Sequence, residues 1–266
     1  MDTIALLQRY AKNLMTQTSS AYSINKWNAL PIQENEEPLV QVPVDFCLPY
    51  YHQAMNLAGG DGRLFVRKTV LEKLLLAEAV LRSYGLDLKL YDGWRPLGLQ
   101  ENLFWYYLKM FTVAKFGLND KFQDAINPCD VKQIFLALPK DTQDKLKAAN
   151  CLYVSWPSQN FSAPSPHATG GAVDVWPYGE DNEQIDLGVP FDWMEKEAGA
   201  FYHLGEGRHA FKDDAMVCWH RNLLLFAMTQ AGFSCYPEEI WHYNFGNQMH
   251  ALVSGQKAVY SYIELN

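Results

Sequence analysis

The sequence has few cysteines, and none of them form a closely spaced pair. There are five among 266 residues, an odd number with no Cys-x-x-Cys motif. Disulfide scaffolds and thiolate zinc sites both need paired or closely spaced cysteines, so the pattern argues against both classes. We expect most of the five to be small buried hydrophobic residues. They are Cys47, Cys129, Cys151, Cys218 and Cys235.

Basic residues and long apolar runs are also scarce. Lysine and arginine total 22 against 30 aspartates and glutamates, for a net charge of -8. Because nucleic acids and anionic membranes attract basic patches, we expect neither as a partner, whereas a small or zwitterionic substrate is compatible. No run approaches the roughly 18 apolar residues of a membrane span. The amino terminus does not resemble a secretory signal, so we expect a cytoplasmic protein, with monomer and homo-oligomer both open.

Core-forming residues are abundant, at 48% hydrophobic and 14% aromatic. That is enough for one large domain. We expect the segment from Ser19 to Pro43, which mixes prolines with acidic residues, to be an extended and solvated arm. Periodicity predicts helices over residues 1–18, 68–84, 99–116, 131–137, 142–149 and 215–231, and strands over 39–42, 86–91, 172–176, 233–245 and 259–263.

The stretch with the most chemical information runs from Ser165 to Trp176. His167 and Asp174 lie seven residues apart in it, with two glycines between them. Asp174 interrupts an apolar run, and an isolated buried carboxylate costs several kcal/mol or becomes protonated. A metal ion or another cation is therefore expected beside Asp174, with His167 as a second ligand. Because a Gly-Gly pair is also a common turn, this stretch alone does not establish a metal site.

A second element, Glu239-Ile-Trp-His242, lies far downstream in an aromatic, strand-like run. Two histidines, one aspartate and a spare glutamate match a catalytic zinc centre, which needs three protein ligands, an open position for water and a base. Residues three apart on a regular strand point to opposite faces. Glu239 and His242 can therefore serve one metal only if the strand bends, and Pro237 provides an irregular entry to it.

These motifs resemble the zinc D-alanyl-D-alanine dipeptidases of the VanX type, subfamily D of peptidase family M15. The resemblance rests on His-x6-Asp, with Ser165 two residues before its histidine, and on Glu-x-x-His. Tyr91-Asp-Gly-Trp-Arg95-Pro96 is similar to the family's Tyr-Arg-Pro element, and Asp186-Leu-Gly-Val-Pro-Phe191-Asp192 is a fourth match. All four motifs occur in the family's order, between about Leu64 and Phe245.

The resemblance implies an α+β fold of the Hedgehog/DD-peptidase-like zinc peptidase type, an antiparallel-rich sheet with flanking helices. It implies a single zinc dipeptidase domain over residues 1–266. Two portions look extended relative to compact members: an N-terminal extension over about 1–60 and a helical insertion over about 104–150. We interpret the insertion as a cover over the sheet or the substrate entrance.

The resemblance also implies roles for individual residues. His167, Asp174 and His242 would bind one Zn²⁺ per chain. Glu239 would act as the general base, and Arg95 would stabilise the oxyanion of the reaction. For a lone arginine, a surface salt bridge would otherwise be the expected role.

At the family position that holds the substrate's amino terminus lies Asp192, and Ser165 would assist it. The ordinary alternative for Asp192 is to cap a helix that begins at Trp193, a common use of aspartate. The implied reaction is hydrolysis of a short dipeptide, with D-Ala-D-Ala as the first candidate. Two alternatives remain: a D,D- or L,D-carboxypeptidase of peptidoglycan stem peptides, and a zinc-binding module of the same fold that has lost catalysis.

The segment from Phe191 to about Asp214 is rich in glycine, and we expect it to be a mobile lid. It also contains His203 and His209. No carboxylate is well placed beside these two histidines, so we do not expect a second metal site there.

Overall fold

The computed structural model describes residues 3–24, 26–53, 55–151, 154–205 and 215–265. The strands in these residues form two antiparallel sheets. They are β1 Leu39–Gln41, β2 Phe65–Arg67, β3 Leu86–Asp92, β4 Ala172–Gly179, β5 Ser234–Tyr236 and β6 Glu239–Asn244. β1 pairs with β2, and the other four strands form one sheet in the order β3-β4-β6-β5. The predicted α+β class, an antiparallel sheet with flanking helices, is confirmed.

Helices surround these sheets. They are α1 Thr3–Ile24, α2 Tyr50–Gln53, α3 Lys68–Arg82, α4 Leu97–Tyr107, α5 Val113–Lys115, α6 Asn119–Phe122, α7 Pro128–Leu136, α8 Lys140–Asn150, α9 Ala215–Gln230 and α10 Gln248–Ser254. A π-helical turn, Leu108–Thr112, joins α4 to α5. In the part of the chain that the structure describes, no helix has the length and apolar character of a membrane span.

Helix α3 shows how the sequence pattern produces the core. Val70, Leu74, Ala77 and Leu81 recur every three to four residues, and all four are fully buried. This spacing places them on one face of the helix. Gly85, at a φ of 75°, follows the helix end in the left-handed region that favours glycine.

The core lies between the four-stranded sheet and the helices packed on it. Helix α3 packs against β3 and α9, and α9 contacts β5 and β6. Side chains alternate between the two faces of a strand. In β4, the buried Val173 and Val175 therefore point away from the face that carries Asp174. The site thus lies on one face of the sheet, and the apolar side chains between the site residues join the core.

The N-terminal segment differs from its prediction. Helix α1 continues to Ile24, beyond the predicted end at residue 18. The acidic part of the arm is largely exposed, as expected, but it is also held in place: Glu34 receives two hydrogen bonds from the buried Arg67, and Glu37 receives two from Thr69. Arg67 lies 33 residues beyond Glu34 in the chain, so local composition gave no sign of this partner.

Two further predictions were wrong, one about a strand and one about the end of a helix. Val259–Ile263 lies within the described residues and forms no strand there, although a single parallel bridge joins the adjacent Ala258 to Ile32. The helix predicted over 68–84 ends at Arg82, so Tyr84 lies beyond it and is 40% exposed. Leu75 of α3 lies off the buried face and is 46% exposed.

Candidate active site

The pairing of strands β3, β4 and β6 places two carboxylates and one imidazole in a row across the sheet. In the register, Asp92 of β3 is the partner of Asp174 of β4, and Asp174 is the partner of His242 of β6. Residues directly opposite on neighbouring strands point to the same face, with Cβ atoms about 5 Å apart. All three side chains are buried. The backbone hydrogen bonds of the sheet therefore set the spacing of this row.

His167 completes a group of donor atoms with two members of this row. Its Nε2 lies 3.2 Å from His242 Nδ1 and 3.4 Å from Asp174 Oδ2. His242 Nδ1 lies 2.9 Å from Asp174 Oδ1. Donors around a tetrahedral ion bound at ~2.0–2.1 Å would be about 3.3 Å apart, so these spacings fit Zn²⁺. Two imidazole nitrogens and a carboxylate are also a donor set that zinc accepts.

Both histidines are held by their second ring nitrogen. His167 Nδ1 lies 2.8 Å from the Gly93 carbonyl oxygen, and His242 Nε2 lies 3.3 Å from Asn244 Oδ1. These acceptors favour a proton on the outer nitrogen and leave the inner one free to bind a metal. Although burial favours the neutral acid, protonated forms of the neighbouring imidazoles hold the pKa of Asp174 well below its usual range, and a bound cation would act in the same direction. Asp174 is therefore ionised, as a ligand must be.

The turn that carries His167 is fixed by its glycines. His167–Thr169 forms a 3-10 turn that ends at Gly170, whose φ is 69°. A Cβ on Gly171 would lie only 2.4 Å from the Phe245 carbonyl oxygen, so the backbones approach too closely for a side chain there. Arg67 Nε also donates to the Thr169 carbonyl at 2.8 Å. The Gly-Gly pair thus places the ligand as well as making a turn.

The bend required between Glu239 and His242 is present in β6. Its register with β5 shifts between Cys235, which is the partner of Tyr243, and Tyr236, which is the partner of Glu239. The extra residues on β6 let Glu239 share the site face, with its Oε2 3.8 Å from His242 Nδ1. Burial raises the pKa of Glu239 to about 8. A bound cation would lower that pKa.

Arg95 lies inside the site. It contacts Asp92 Oδ2 at 2.7 Å, and its NH2 is 3.7 Å from Asp174 Oδ2. It also donates to Gln100 Oε1 at 2.9 Å. Burial disfavours the charged form, but the Asp92 carboxylate outweighs that effect and holds the pKa of Arg95 above its usual range. Arg95 is therefore a buried, permanently charged donor, and it makes no surface salt bridge.

The carboxylate of Asp192 lies in the same cavity and accepts hydrogen bonds from two phenols. Tyr51 donates to its Oδ1 at 3.1 Å, and Tyr107 donates to its Oδ2. No helix begins at Trp193; the next helical turn is Lys196–Ala198, whose N-cap is Glu195. The capping alternative is therefore wrong for the described residues. Burial raises the pKa of Asp192 to about 7.

Ser165 lies beside the site. It is 5% exposed, and its carbonyl accepts a hydrogen bond from the Ala168 amide at 3.1 Å. Pro166 and His167 line the cavity, whereas Ser165 is not among the described residues that do so. Its assistance to Asp192 remains a prediction.

The cavity that joins these groups has a volume of about 120 Å³. A larger cavity of about 350 Å³ shares Tyr51 with it, but His167, Asp174 and His242 do not line it. We assign the chemistry to the smaller cavity because its wall contains the three metal donors together with Glu239, Arg95 and Asp192. Its lining consists of Trp27, Tyr51, Arg95, Leu103, Tyr107, Cys151, Val154, Ser155, Pro166, His167, Asp174, Asp192, Met194, Tyr236, Glu239, Trp241, His242 and Met249.

Several of the contributing residues were missed from sequence. Asp92 and Gln100 hold Arg95, and Tyr51 and Tyr107 hold Asp192. A signal existed for Gln100 and Tyr107, because positions 100, 103 and 107 share one face of a helix that begins just after Arg95-Pro96. Tyr51 had no such signal.

The candidate second histidine site is only partly described. His203 is buried, and its Nε2 lies 2.8 Å from Asn222 Oδ1. Burial lowers the pKa of His203 to about 4, so this ring is neutral. His209 and the rest of the expected lid over 206–214 lie outside the described residues.

Comparisons with known proteins show which family this chain resembles. A family model described as peptidase M15, D-Ala-D-Ala dipeptidase, matches residues 110–260. A D-alanyl-D-alanine dipeptidase of Synechocystis sp. is 24% identical over 241 residues, covering 86% of this chain and 90% of the relative. A solved structure of a mutant of the vancomycin resistance D,D-pentapeptidase VanY, in complex with Zn(II), covers 88% of this chain and 97% of its own at 12% identity, with a TM-score of 0.37. The matched residues include Ser165, Asp192, Glu239 and all three metal donors, and they begin after Arg95.

Proposed function

Because the chain belongs to peptidase family M15, we propose that it is a zinc dipeptidase that hydrolyses D-Ala-D-Ala or a similarly short dipeptide. One observation carries the proposal. The three metal donors, Glu239 and Asp192 all line one cavity of about 120 Å³. Pockets for drug-sized ligands span about 300–1,000 Å³, so this cavity suits a very small substrate.

Zinc held by His167, Asp174 and His242 would polarise the scissile carbonyl and lower the pKa of water. Glu239 has the position of a general base, 3.8 Å from His242 Nδ1 and partly accessible from the cavity. It takes the proton of the attacking water and later delivers it to the leaving amine. Removal of such a base typically slows a reaction by about 10²- to 10⁴-fold.

Arg95 stabilises the negative charge that develops on the substrate oxygen. Its guanidinium is buried, keeps its charge and is held by Asp92 and Gln100. A donor that is oriented before the reaction does not have to reorganise during it, and in a water-poor site it stabilises charge strongly. Arg95 and Glu239 together favour a catalytic role over a zinc-binding module without activity.

Asp192 accepts the free ammonium of the dipeptide. The carboxylate lies in the cavity and has no helix to cap. An ammonium beside an ionised carboxylate forms a charge-assisted hydrogen bond, about twice as strong as a neutral one. A stem-peptide carboxypeptidase would need room beyond this position for the rest of the peptide chain. The small cavity therefore favours the dipeptide over the longer peptide.

The test is a hydrolysis screen with the purified protein. Its substrates are D-Ala-D-Ala, L-Ala-D-Ala, L-Ala-L-Ala, N-acetyl-D-Ala-D-Ala and a peptidoglycan pentapeptide, each with and without a chelator and after zinc is restored. We expect D-Ala-D-Ala to be the best substrate, with activity that the chelator removes and zinc restores. A Glu239→Ala preparation controls for contaminating peptidases. Faster cleavage of the pentapeptide or of the acetylated peptide would replace the dipeptidase proposal with the carboxypeptidase alternative.

A further inference from the structure

One face of α4 forms a wall of the proposed active site. Gln100, Leu103 and Tyr107 are spaced by three and four residues, so they share a helix face. All three are nearly fully buried, at 1%, 1% and 3% exposure. Leu103 and Tyr107 line the cavity. None of the three residues was predicted from the sequence to belong to the site.

Gln100 connects this face to the catalytic groups. Its Oε1 accepts from Arg95, and its Nε2 donates to the Ser155 carbonyl at 2.6 Å. Ser155 itself lines the cavity, on the segment that follows α8. The helix therefore has a fixed position relative to both Arg95 and the segment that carries Ser155.

Tyr107 contacts Asp192 from this face. Its hydroxyl donates to Asp192 Oδ2, and its ring stacks on Phe111 at a centroid distance of 5.5 Å. Burial and the neighbouring carboxylate raise the pKa of the Tyr107 phenol far above its usual range. The phenol therefore stays protonated and acts as a donor to the carboxylate.

A buried polar network fixes the end of α4. Tyr107 is the last residue before the π-helical turn, and such turns are frequent at functional sites. Within the turn, Thr112 donates to Asn150 Oδ1 at 2.8 Å, and Asn150 Nδ2 donates to the Phe104 carbonyl at 3.0 Å. Thr112 and Asn150 have no solvent exposure. The network joins α4 to α8 one turn from Tyr107, which limits movement of the phenol.

The loop that carries Asp192 is fixed independently. Asp192 has a φ of 61°, an uncommon value for a residue other than glycine. The fully buried Arg221 donates to the carbonyls of Leu187, Glu197 and Gly199, on either side of Asp192. The carboxylate and the phenol therefore meet as two separately anchored parts.

We propose that Tyr107 is a specificity-determining residue that restricts this enzyme to substrates with a free amino group. Its hydroxyl orients the Asp192 carboxylate, and its ring closes the cavity beside that carboxylate. A carboxylate offers about four acceptor positions, so two phenols leave two for an ammonium. An acyl group or a further residue on that nitrogen would remove the charge and would need the space that Leu103 and Tyr107 fill. This inference rests on the proposed dipeptidase function and names the residue that limits its substrate.

The role of the hydroxyl is tested with Tyr107→Phe. The phenol hydrogen bond lowers the pKa of Asp192, so its loss raises that pKa. In the pH profile of kcat/KM for D-Ala-D-Ala, the midpoint of the acid limb should then move to a higher pH by roughly one unit. A hydrogen bond to a charged group is equivalent to about one pKa unit. Other groups that face Asp192 remain unchanged in this variant; they are Tyr50, Tyr51, Arg95, Asp174 and Glu239.

The role of the ring is tested with Tyr107→Ala. We expect the preference for D-Ala-D-Ala over N-acetyl-D-Ala-D-Ala and over D-Ala-D-Ala-D-Ala to fall by about tenfold or more, the low end of what pocket shape achieves. Tyr107→Phe retains the ring and should keep excluding both blocked substrates. If Tyr107→Ala does not fold, Tyr107→Leu makes the same test with less loss of packing. Tyr106→Phe is the matched control, because Tyr106 precedes Tyr107 on α4 and is not among the described cavity residues.

The outcomes separate the two proposals. If the unmodified protein cleaves no free dipeptide, the proposed function fails. If it prefers the free dipeptide and the Tyr107→Ala preference stays within twofold of that value, the inference about Tyr107 is wrong and the function stands. An unchanged acid limb in Tyr107→Phe would likewise reject the role of the hydroxyl. Circular dichroism and zinc content are measured for each variant, so a folding defect is not read as altered specificity.

Discussion

The two ends of the proposed substrate cavity are built in different ways. At the metal end, Asp174 and His242 are direct partners on adjacent strands, and His167 lies in the turn that precedes one of them. At the amino end, Tyr51 comes from α2, Tyr107 from α4 and Asp192 from a loop. Backbone hydrogen bonds of the sheet position the first group. Side-chain contacts between distant segments position the second.

Because the two ends are built differently, substitutions at them should have different effects. Sheet register holds Asp174 and His242 opposite each other on one face. The register itself is strongly specified, because a one-residue slip would turn every side chain of the strand to the other face. A substitution there should remove the metal without unfolding the sheet. At the amino end, each group is oriented by another side chain, so substitutions should change selectivity and pH dependence more than metal binding. The following predictions test this contrast.

The largest effect is expected from His242→Ala, which removes one of three metal donors. A site with three protein ligands loses much of its affinity with any one of them, so purified protein should contain little zinc and show almost no activity. Elemental analysis and circular dichroism measure the two consequences. His52→Ala, at an exposed histidine, is the control. Retention of one zinc per chain in His242→Ala would remove His242 from the ligand set.

Glu239→Ala is expected to have a large effect on turnover without loss of the metal. Since Glu239 is assigned to proton transfer and not to metal binding, zinc should remain bound while kcat falls by about 10²- to 10⁴-fold. Glu238→Ala is the matched control, because Glu238 is the adjacent residue and is exposed. Loss of zinc together with activity would show that Glu239 is a ligand, and the proposed role would be wrong.

The same contrast explains how much could be predicted from the sequence. Buried strands and amphipathic helices follow from the periodicity of the sequence. An aspartate in an apolar strand indicated a nearby cation, so the metal end could be predicted from the sequence. The bend in β6 followed from the requirement that Glu239 and His242 share a face. The partners of Asp192 depend on how α2 and α4 pack, which no local pattern encodes. The pairing of Arg67 with Glu34 escaped prediction for the same reason.

At the amino end, Asp192→Asn should reduce kcat/KM for D-Ala-D-Ala by about 10- to 100-fold. That range corresponds to a hydrogen bond to a charged group, ~1.5–3 kcal/mol. The amide keeps the shape: its single oxygen can accept from one phenol, and its Nδ2 can donate to the hydroxyl oxygen of the other, so zinc content and melting temperature should not change. Glu195→Gln, three residues further on and exposed, is the control. A lower melting temperature with an unaltered preference for a free amino group would point to a structural role instead.

The smallest effect separates the two ends without any substitution that perturbs the metal. Burial raises the pKa of Asp192 to about 7. Only the ionised carboxylate attracts an ammonium, so kcat/KM for the free dipeptide should fall as the pH drops below about 7, approaching tenfold per unit well below that pKa. The fall is assigned to Asp192 by comparison with Asp192→Asn, whose residual activity keeps any titration of the metal end but has no carboxylate to protonate. The ratio of the two enzymes' kcat/KM values should therefore shrink steadily between pH 8 and pH 5.5. If that ratio stays constant across the range, Asp192 does not titrate in the working enzyme, and the ammonium is held by another group.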